Sequence, residues 1–170
     1  MLFNRYNNKV LNFCLRILGN RADAEEIAAD VFLALFSKKY VLDPNAKFST
    51  WLFTVARNKC ISHLRKHKGL VGMWVSDGKR DYTAWEPADE TDSSRDTLEK
   101  KEAAKRVHRA MAQLPLEQRE AIVLREFHQF SYNEIASILH CSLEKVKILI
   151  YRGREQLRND LASYFEEAQS

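Results

Sequence analysis

The sequence has no long apolar stretch and few cysteines. No segment approaches the roughly 18 consecutive apolar residues that a membrane-spanning helix needs. Its first residues lack the apolar core and the small-residue cleavage site of a signal peptide. The three cysteines, Cys14, Cys60 and Cys141, are an odd number and contain no C-x-x-C pair. We therefore expect a cytoplasmic protein whose thiols are reduced and buried.

Patterns typical of enzymes are also missing. The sequence contains no Gly-rich phosphate-binding loop, and its Ser, His and Asp residues do not follow the chain order of a hydrolase catalytic triad. Cys60, His63 and His67 follow one helix face, which would suit metal ligands, but no fourth ligand is evident. The same spacing is typical of a buried thiol beside two histidines in a basic stripe. We expect no catalytic residue, no metal site and no cofactor, and a zinc assay tests the metal alternative.

Charge is unevenly distributed along the 170 residues. Residues 1–68 carry 12 Lys and Arg against 5 Asp and Glu, whereas residues 69–96 carry 3 against 7. Residues 97–170 carry 12 against 11. A basic region, an acidic strip and a nearly neutral region indicate a polyanion-binding module joined to a second module.

Apolar residues recur at helical spacing, and no alternating strand pattern of useful length occurs. A helix over about 3–17 is predicted to precede a second helix, which Asp23 and Glu26 open by capping chemistry. A third helix is predicted from about Thr50 into the basic run 63–68. The last 74 residues are predicted to form helices over 98–112, 116–127 and 131–139 and a long helix from Leu143.

Residues 69–96 have a different composition, with three glycines, one proline and an acidic run, which is typical of a linker. Trp74 and Trp85 are unusually apolar for a free linker, so part of it is expected to dock on a surface. The sequence therefore predicts an all-α fold of two small helical domains, 1–68 and 97–170, joined by a flexible linker. We expect the two domains to pack independently.

A helix-turn-helix pattern lies in the second domain. The short helix over 131–139 begins with the capping box Ser131-x-x-Glu134, and residues 140–142 form the turn. A longer basic helix follows, which Ser142 is predicted to cap. In this motif the second helix enters the major groove of DNA, with its N-terminus near phosphates and its side chains at base edges. An ordinary helical hairpin with a solvated basic face would show the same periodicity.

Several stretches resemble the sigma-70 family of bacterial RNA polymerase sigma factors, extracytoplasmic-function (ECF) class. Residues 114–136 (LPLEQREAIVLREFHQFSYNEIA) and 152–158 (RGREQLR) resemble its sigma-4 domain. Residues 18–27 (LGNRADAEEI) resemble its segment that binds core polymerase, and residues 48–58 (FSTWLFTVARN) its helix that melts the promoter and reads the −10 element. These motifs occur in the family's order and cover nearly the whole chain outside the linker.

The resemblance implies a transcription-initiation factor with a sigma-2-like domain and a sigma-4-like domain. Its partners would be core RNA polymerase, promoter DNA and an anti-sigma factor, with no small-molecule substrate. Opening DNA without ATP requires binding energy, which cations and aromatic stacking can supply at ~1–3 kcal/mol per base. The implied −35 contacts are Ser142, Glu144, Lys145, Lys147, Tyr151, Arg152 and Arg154. The implied −10 and melting contacts are Lys47, Phe48, Ser49, Trp51, Arg57, Asn58, Lys59, His63, Arg65 and Lys66. The implied polymerase contacts are Asp23, Glu26, Asp30 and Leu33.

Some of these residues have a structural interpretation as well. Trp51 lies at helical spacing from Val55 and would also suit the core, and Asp23 and Glu26 would also serve only as helix caps. A stand-alone helix-turn-helix regulator would account for residues 114–158, although not for the basic helix before them. A DNA-binding assay with and without core polymerase separates the two functions.

The sequence also departs from the family. The family usually has more residues before Phe3. His140 replaces the glycine of the turn, at a position where histidine tolerates positive φ better than most residues. Ile148 and Leu149 replace a polar Ser-Arg pair, which removes a DNA-contacting cation. Gly153 lies in mid-helix where alanine is usual, at a cost of ~1 kcal/mol in helix propensity.

Overall fold

A computed structural model describes residues 2–37, 45, 47–67 and 95–169. All regular secondary structure in these ranges is helical, which confirms the predicted all-α class. The predicted linker lies outside the described residues except for its last two positions, and so do Trp74 and Trp85. The helices are α1 (Leu2–Leu18), α2 (Arg21–Phe36), α3 (Phe48–His67), α4 (Arg95–Gln113), α5 (Leu116–Ile122), α6 (Tyr132–Leu139) and α7 (Leu143–Gln169), with a π-helical segment (Val123–Phe127) after α5.

Helices α1, α2 and α3 form the first half of the molecule. Phe13 of α1 and Phe53 of α3 are fully buried and meet edge to face, with ring centroids 5.4 Å apart. The prediction that Asp23 caps α2 is wrong. Asn20 is the cap, because its extended backbone precedes the helix and its side chain accepts a hydrogen bond from the Asp23 backbone N–H at 2.9 Å.

Helices α4 to α7 form the second half. The helix predicted over 116–127 is α-helical only to Ile122 and continues as the π-helical segment. The predicted capping box is confirmed: the Glu134 N–H donates to the Ser131 hydroxyl at 3.2 Å, and the Ser131 N–H donates to the Glu134 carboxylate at 3.1 Å. His140 adopts φ 53°, as its place at the turn requires. The predicted cap of α7 is also confirmed, since the Lys145 N–H donates to the Ser142 hydroxyl at 3.1 Å.

Gly153 marks the closest approach between α7 and α5. A Cβ atom at this position would lie 2.7 Å from Cγ1 of Ile122, a side chain that is itself buried. Alanine would therefore collide with α5. The loss of helix propensity at Gly153 is explained by this crossing, which only a residue without a side chain allows.

The two halves contact each other, which the sequence did not predict. Helix α3 packs against α6, and α1 packs against α4 and α5. Phe53 lies in this contact, with its ring centroid 5.0 Å from Phe130 and 4.8 Å from His128. The buried Arg119 of α5 donates to the carbonyl of Ile17 at the end of α1 at 3.1 Å. It also donates to carbonyls at the end of α4 and beyond it, those of Met111, Ala112 and Leu114.

The predicted burial of the thiols is confirmed for Cys14 and Cys60, whereas Cys141 is half-buried. A hydrogen bond with Cys14, together with burial, raises the pKa of Cys60 well above its ordinary value, so this thiol stays protonated. Within the described ranges, no three His, Cys, Asp or Glu side chains are arranged to hold a metal. No helix in the same ranges is long and apolar enough to cross a membrane.

Candidate nucleic-acid and polymerase interface

Helix α7 has one buried and one exposed side, as expected of the second helix of a helix-turn-helix. Val146, Leu149 and Ile150 are buried where α7 packs on α5 and α6. Leu149 is thus a core residue, whereas its neighbour Ile148 is 49% exposed. All seven residues predicted to contact the −35 element are exposed: Ser142, Glu144, Lys145, Lys147, Tyr151, Arg152 and Arg154.

The cations on α7 differ in their partners. Lys145 Nζ lies 3.0 Å from Glu117 Oε1, and the Arg154 guanidinium contacts Glu126 at 2.5 Å. These hydrogen bonds raise the pKa of Lys145 and of Arg154. Lys147 and Arg152, in contrast, form no ion pair with any residue that the structure describes. These two cations can therefore bind DNA without exchanging a protein partner.

The residues predicted to contact the −10 element do not share one surface. Asn58, Arg65 and Lys66 are exposed along α3, and Lys47 is exposed just before it. A second group is half-buried: Phe48, Ser49, Trp51, Arg57 and Lys59. Phe48 packs against Tyr6 at 5.4 Å and against Trp51 at 5.8 Å between ring centroids, so the aromatic residues form a small cluster at the start of α3.

His63 of α3 is buried and faces α2. Its Nε2 lies 3.3 Å from Oδ2 of Asp23, and its ring centroid lies 4.2 Å from that of His67. The contact between His63 and Asp23 joins α3 to α2. It brings together a residue predicted to bind DNA, His63, and one predicted to bind polymerase, Asp23. In this arrangement both side chains serve the packing of the first half.

Two predicted DNA contacts face acids of the second half. Nε of Arg57 lies 2.9 Å from Oε1 of Glu120, whose side chain is only 1% exposed. Burial raises the pKa of Glu120, and the positive charge of Arg57 opposes that rise. Lys47 Nζ lies 4.0 Å from Glu134, which also accepts from the Thr50 hydroxyl at 3.4 Å. Sequence reasoning missed these acids because no local pattern relates them to α3.

Helix α2 carries the residues predicted to contact polymerase. Glu26 and Leu33 are exposed and Asp30 is half-buried. Leu33 is 65% exposed and Phe36, one turn later, is 68% exposed. Phe36 was not among the predicted contacts, although its three-residue spacing from Leu33 could have identified it. Together these residues form an acidic and apolar surface of α2, which is defined here as Glu26, Asp30, Leu33 and Phe36.

Each half of the molecule matches a region of a known protein family. Residues 2–69 match Sigma-70 region 2, and residues 104–157 match Sigma-70, region 4. The ECF RNA polymerase sigma factor SigW of Bacillus subtilis is 32% identical over 171 residues, which cover 92% of this chain and 84% of that protein. The ECF sigma factor RpoE of Cereibacter sphaeroides is 30% identical over 162 residues, 95% of this chain and 84% of that protein.

Solved structures share the fold. The sigma factor RpoE of Bartonella quintana, in complex with the anti-sigma factor NepR, superposes with a TM-score of 0.71 at 21% identity, covering 94% of each chain. CnrH, in complex with the cytosolic domain of CnrY, gives a TM-score of 0.62 at 22% identity over 99% of this chain and 87% of that one.

Two consecutive sigma-70 regions in one chain define a transcription-initiation protein. The chain belongs to the ECF class of RNA polymerase sigma factors. It is therefore a factor that binds core RNA polymerase and directs it to promoter DNA. A stand-alone helix-turn-helix regulator is not favoured, because region 2 precedes region 4 over nearly the full length of the relatives.

Proposed function

We propose that the acidic and apolar surface of α2 is where this sigma factor docks on core RNA polymerase. The observation that carries this assignment is the exposure of Leu33 and Phe36 on one side of a well-packed helix. Exposed apolar side chains beside charged ones are typical of protein interfaces. Glu26 and Asp30 add negative charge to the same surface, which favours a basic partner.

Upstream DNA would be bound by α7, at the −35 element. Lys147, near the N-terminus of α7, is placed to reach base edges, and Arg152 is placed to reach a phosphate. Lys145 and Arg154 contribute less in this proposal, because Glu117 and Glu126 already neutralise them. Ser142 immediately precedes α7 and Glu144 lies in its first turn, at the end of the helix that would enter a major groove.

Downstream DNA would be bound by the exposed side of α3, at the −10 element. Asn58, Arg65 and Lys66 are the proposed contacts that need no rearrangement. Lys47 and Arg57 would join them after exchanging Glu134 and Glu120 for DNA phosphates. The cluster of Phe48 and Trp51 supplies aromatic surface on which an unpaired base could stack.

The chain would act without catalysis and in the cytoplasm, where polymerase and chromosome meet. An anti-sigma factor is the proposed regulator. RpoE of Bartonella quintana is in complex with the anti-sigma factor NepR, and CnrH is in complex with the cytosolic domain of CnrY. Affinity purification of the native protein from uninduced cells should then yield a second protein besides polymerase. Recovery of polymerase alone would contradict this part of the proposal.

Run-off transcription with core polymerase and a library of upstream DNA tests the function directly. Leu33→Asp should abolish transcription and co-purification with core polymerase, because it places a charge in the docking surface. Leu98→Asp is the matched control, since Leu98 is 68% exposed on α4, outside every proposed surface. Equal activity of the two variants would contradict the docking site on α2.

A further inference from the structure

Two apolar side chains, Ile148 and Tyr151, lie on the exposed side of α7. With about 100° of rotation per residue, Glu144, Ile148 and Tyr151 fall in one narrow stripe. Ile148 is 49% exposed and Tyr151 is 68% exposed, although Leu149 and Ile150 between them are buried. Most of the apolar side chains of the first turns of α7 are thus in the core, whereas Ile148 and Tyr151 project from it.

Cations lie on both sides of this stripe. Lys147 precedes Ile148 on one side of the helix, and Arg152 follows Tyr151 on the other. Neither forms an ion pair with a described residue. A helix in a major groove has phosphates along both edges and base pairs beneath its centre. The charge pattern of α7 matches that geometry, with cations at the edges and Ile148 over the bases.

An aliphatic side chain can recognise only one group in the major groove. Guanine, cytosine and adenine present hydrogen-bonding groups, whereas thymine also presents its 5-methyl group. A branched side chain above the other bases would cover donors or acceptors without satisfying them, which is unfavourable. Contact with a thymine methyl instead removes apolar surface of both groups from water.

We propose that Ile148 makes this sigma factor select a thymine in the −35 element by packing against its 5-methyl group, with Tyr151 beside it. The proposal rests on the function of α7 proposed above. It assigns a specificity role to the position where the sequence lacks the family's polar pair. A thymine-containing −35 element is therefore the class of DNA that this helix would prefer.

Removal of a single methyl group from the DNA tests the proposal. The preferred −35 element is first selected from a randomised library with the holoenzyme, and each thymine is then replaced singly by deoxyuridine. One replacement should weaken binding of the unaltered holoenzyme by about four-fold, the effect of exposing one buried methyl-sized group. Ile148→Ala should bind the thymine and deoxyuridine duplexes equally, whereas Ile148→Val should still prefer thymine.

Two results would overturn the inference. Equal binding of every thymine and deoxyuridine duplex by the unaltered holoenzyme would show that no methyl group is read. Loss of binding to core polymerase in Ile148→Ala would instead identify Ile148 as a protein contact. If Lys147→Ala or Arg152→Ala still weakens DNA binding, α7 remains the DNA-binding helix. If neither does, the proposed function of α7 itself fails.

Discussion

Arg57 of α3 and Glu120 of α5 form an ion pair of 2.9 Å between the two halves of the molecule. The carboxylate of Glu120 is buried, and its second oxygen has no hydrogen-bond partner among the described residues. Its charge therefore depends on Arg57. Because Arg57 is also a proposed DNA contact, the same guanidinium contributes to the packing of the halves and to the proposed promoter surface.

Arg57→Met should separate the two halves. The substitution leaves a buried carboxylate without its cation, which typically costs ~3–5 kcal/mol. The chain can avoid this cost by exposing Glu120 to water. Small-angle scattering should show a larger radius of gyration, and hydrogen exchange should accelerate in α5. Adding Glu120→Leu should reverse both effects, because an apolar pair needs no cation. Arg65→Met, an exposed change on the same helix, should change neither quantity.

Acidification should destabilise the protein through two histidines, the buried His108 and the half-buried His128. Burial, followed by the charge of Arg16, lowers the pKa of His108 and of His128 from 6.5 to about 4. Between these pH values the unfolded chain binds more protons than the folded one, so stability falls as pH falls. At pH 5 the loss should be about 2 kcal/mol per histidine.

Urea unfolding at pH 7.5 and pH 5 measures this loss. The free energy of unfolding should differ less between pH 7.5 and pH 5 in His128→Phe, by about the contribution of one histidine. Phenylalanine does not titrate, and it can pack near Phe13 and Phe53. An unchanged difference in this variant would contradict the assignment to His128.

Gly153→Ala should destabilise the second half although alanine is the better helix former. The gain of ~1 kcal/mol in helix propensity is opposed by overpacking against Ile122, which typically costs 1–3 kcal/mol. Ile122→Ala removes the obstructing atoms, at the cost of a cavity. Thermal unfolding of the two single variants and the double variant should reveal favourable coupling between the two changes. Strict additivity would show that the crossing adapts without strain.

Arg152→Ala should weaken binding to all promoters alike and lower the slope of log affinity against log salt by about one, as expected for a phosphate contact. Arg154→Ala should lower the slope less, because Glu126 competes with DNA for its guanidinium. Lys147→Ala should cost ~1–3 kcal/mol only at one or two positions of the −35 element. Holoenzyme binding to several promoters at a series of salt concentrations distinguishes these patterns. Identical slopes for all three variants would contradict the assignment.

Limited proteolysis tests the proposed domain boundaries. Protease should cut first between residues 69 and 96, whose Gly-containing, acidic composition is typical of an accessible connector. Fragments near 1–68 and 97–170 should then accumulate. Equally fast cutting within 20–60 would contradict the boundaries.

Local features were the ones that the sequence could predict. The capping box of Ser131 and Glu134, the Ser142 cap and the left-handed His140 each depend on residues within a few positions. The sequence could not identify the cap of α2, because Asn20 and Asp23 are both good caps and only the backbone conformation distinguishes them.

Contacts between distant residues could not be predicted in this way. The resemblance implies a DNA contact for Arg57, but its protein partner Glu120 lies 63 residues further along the chain, where no local pattern points to it. Helical periodicity presents Gly153 only as a loss of helix propensity, because it does not show that Ile122 lies against this glycine. Both contacts escape the sequence for the same reason, since helical periodicity identifies a buried face but not what covers it.

Four carbonyls that accept hydrogen bonds from Arg119 belong to different parts of the chain. Three of them, those of Met111, Ala112 and Leu114, lie in the second half with Arg119 itself, and one, that of Ile17, lies in the first. Separation of the halves therefore breaks one of these bonds and leaves three to keep the guanidinium in place. In a chain whose halves had separated, the guanidinium would therefore still be oriented, and re-forming the bond to Ile17 would cost little side-chain entropy.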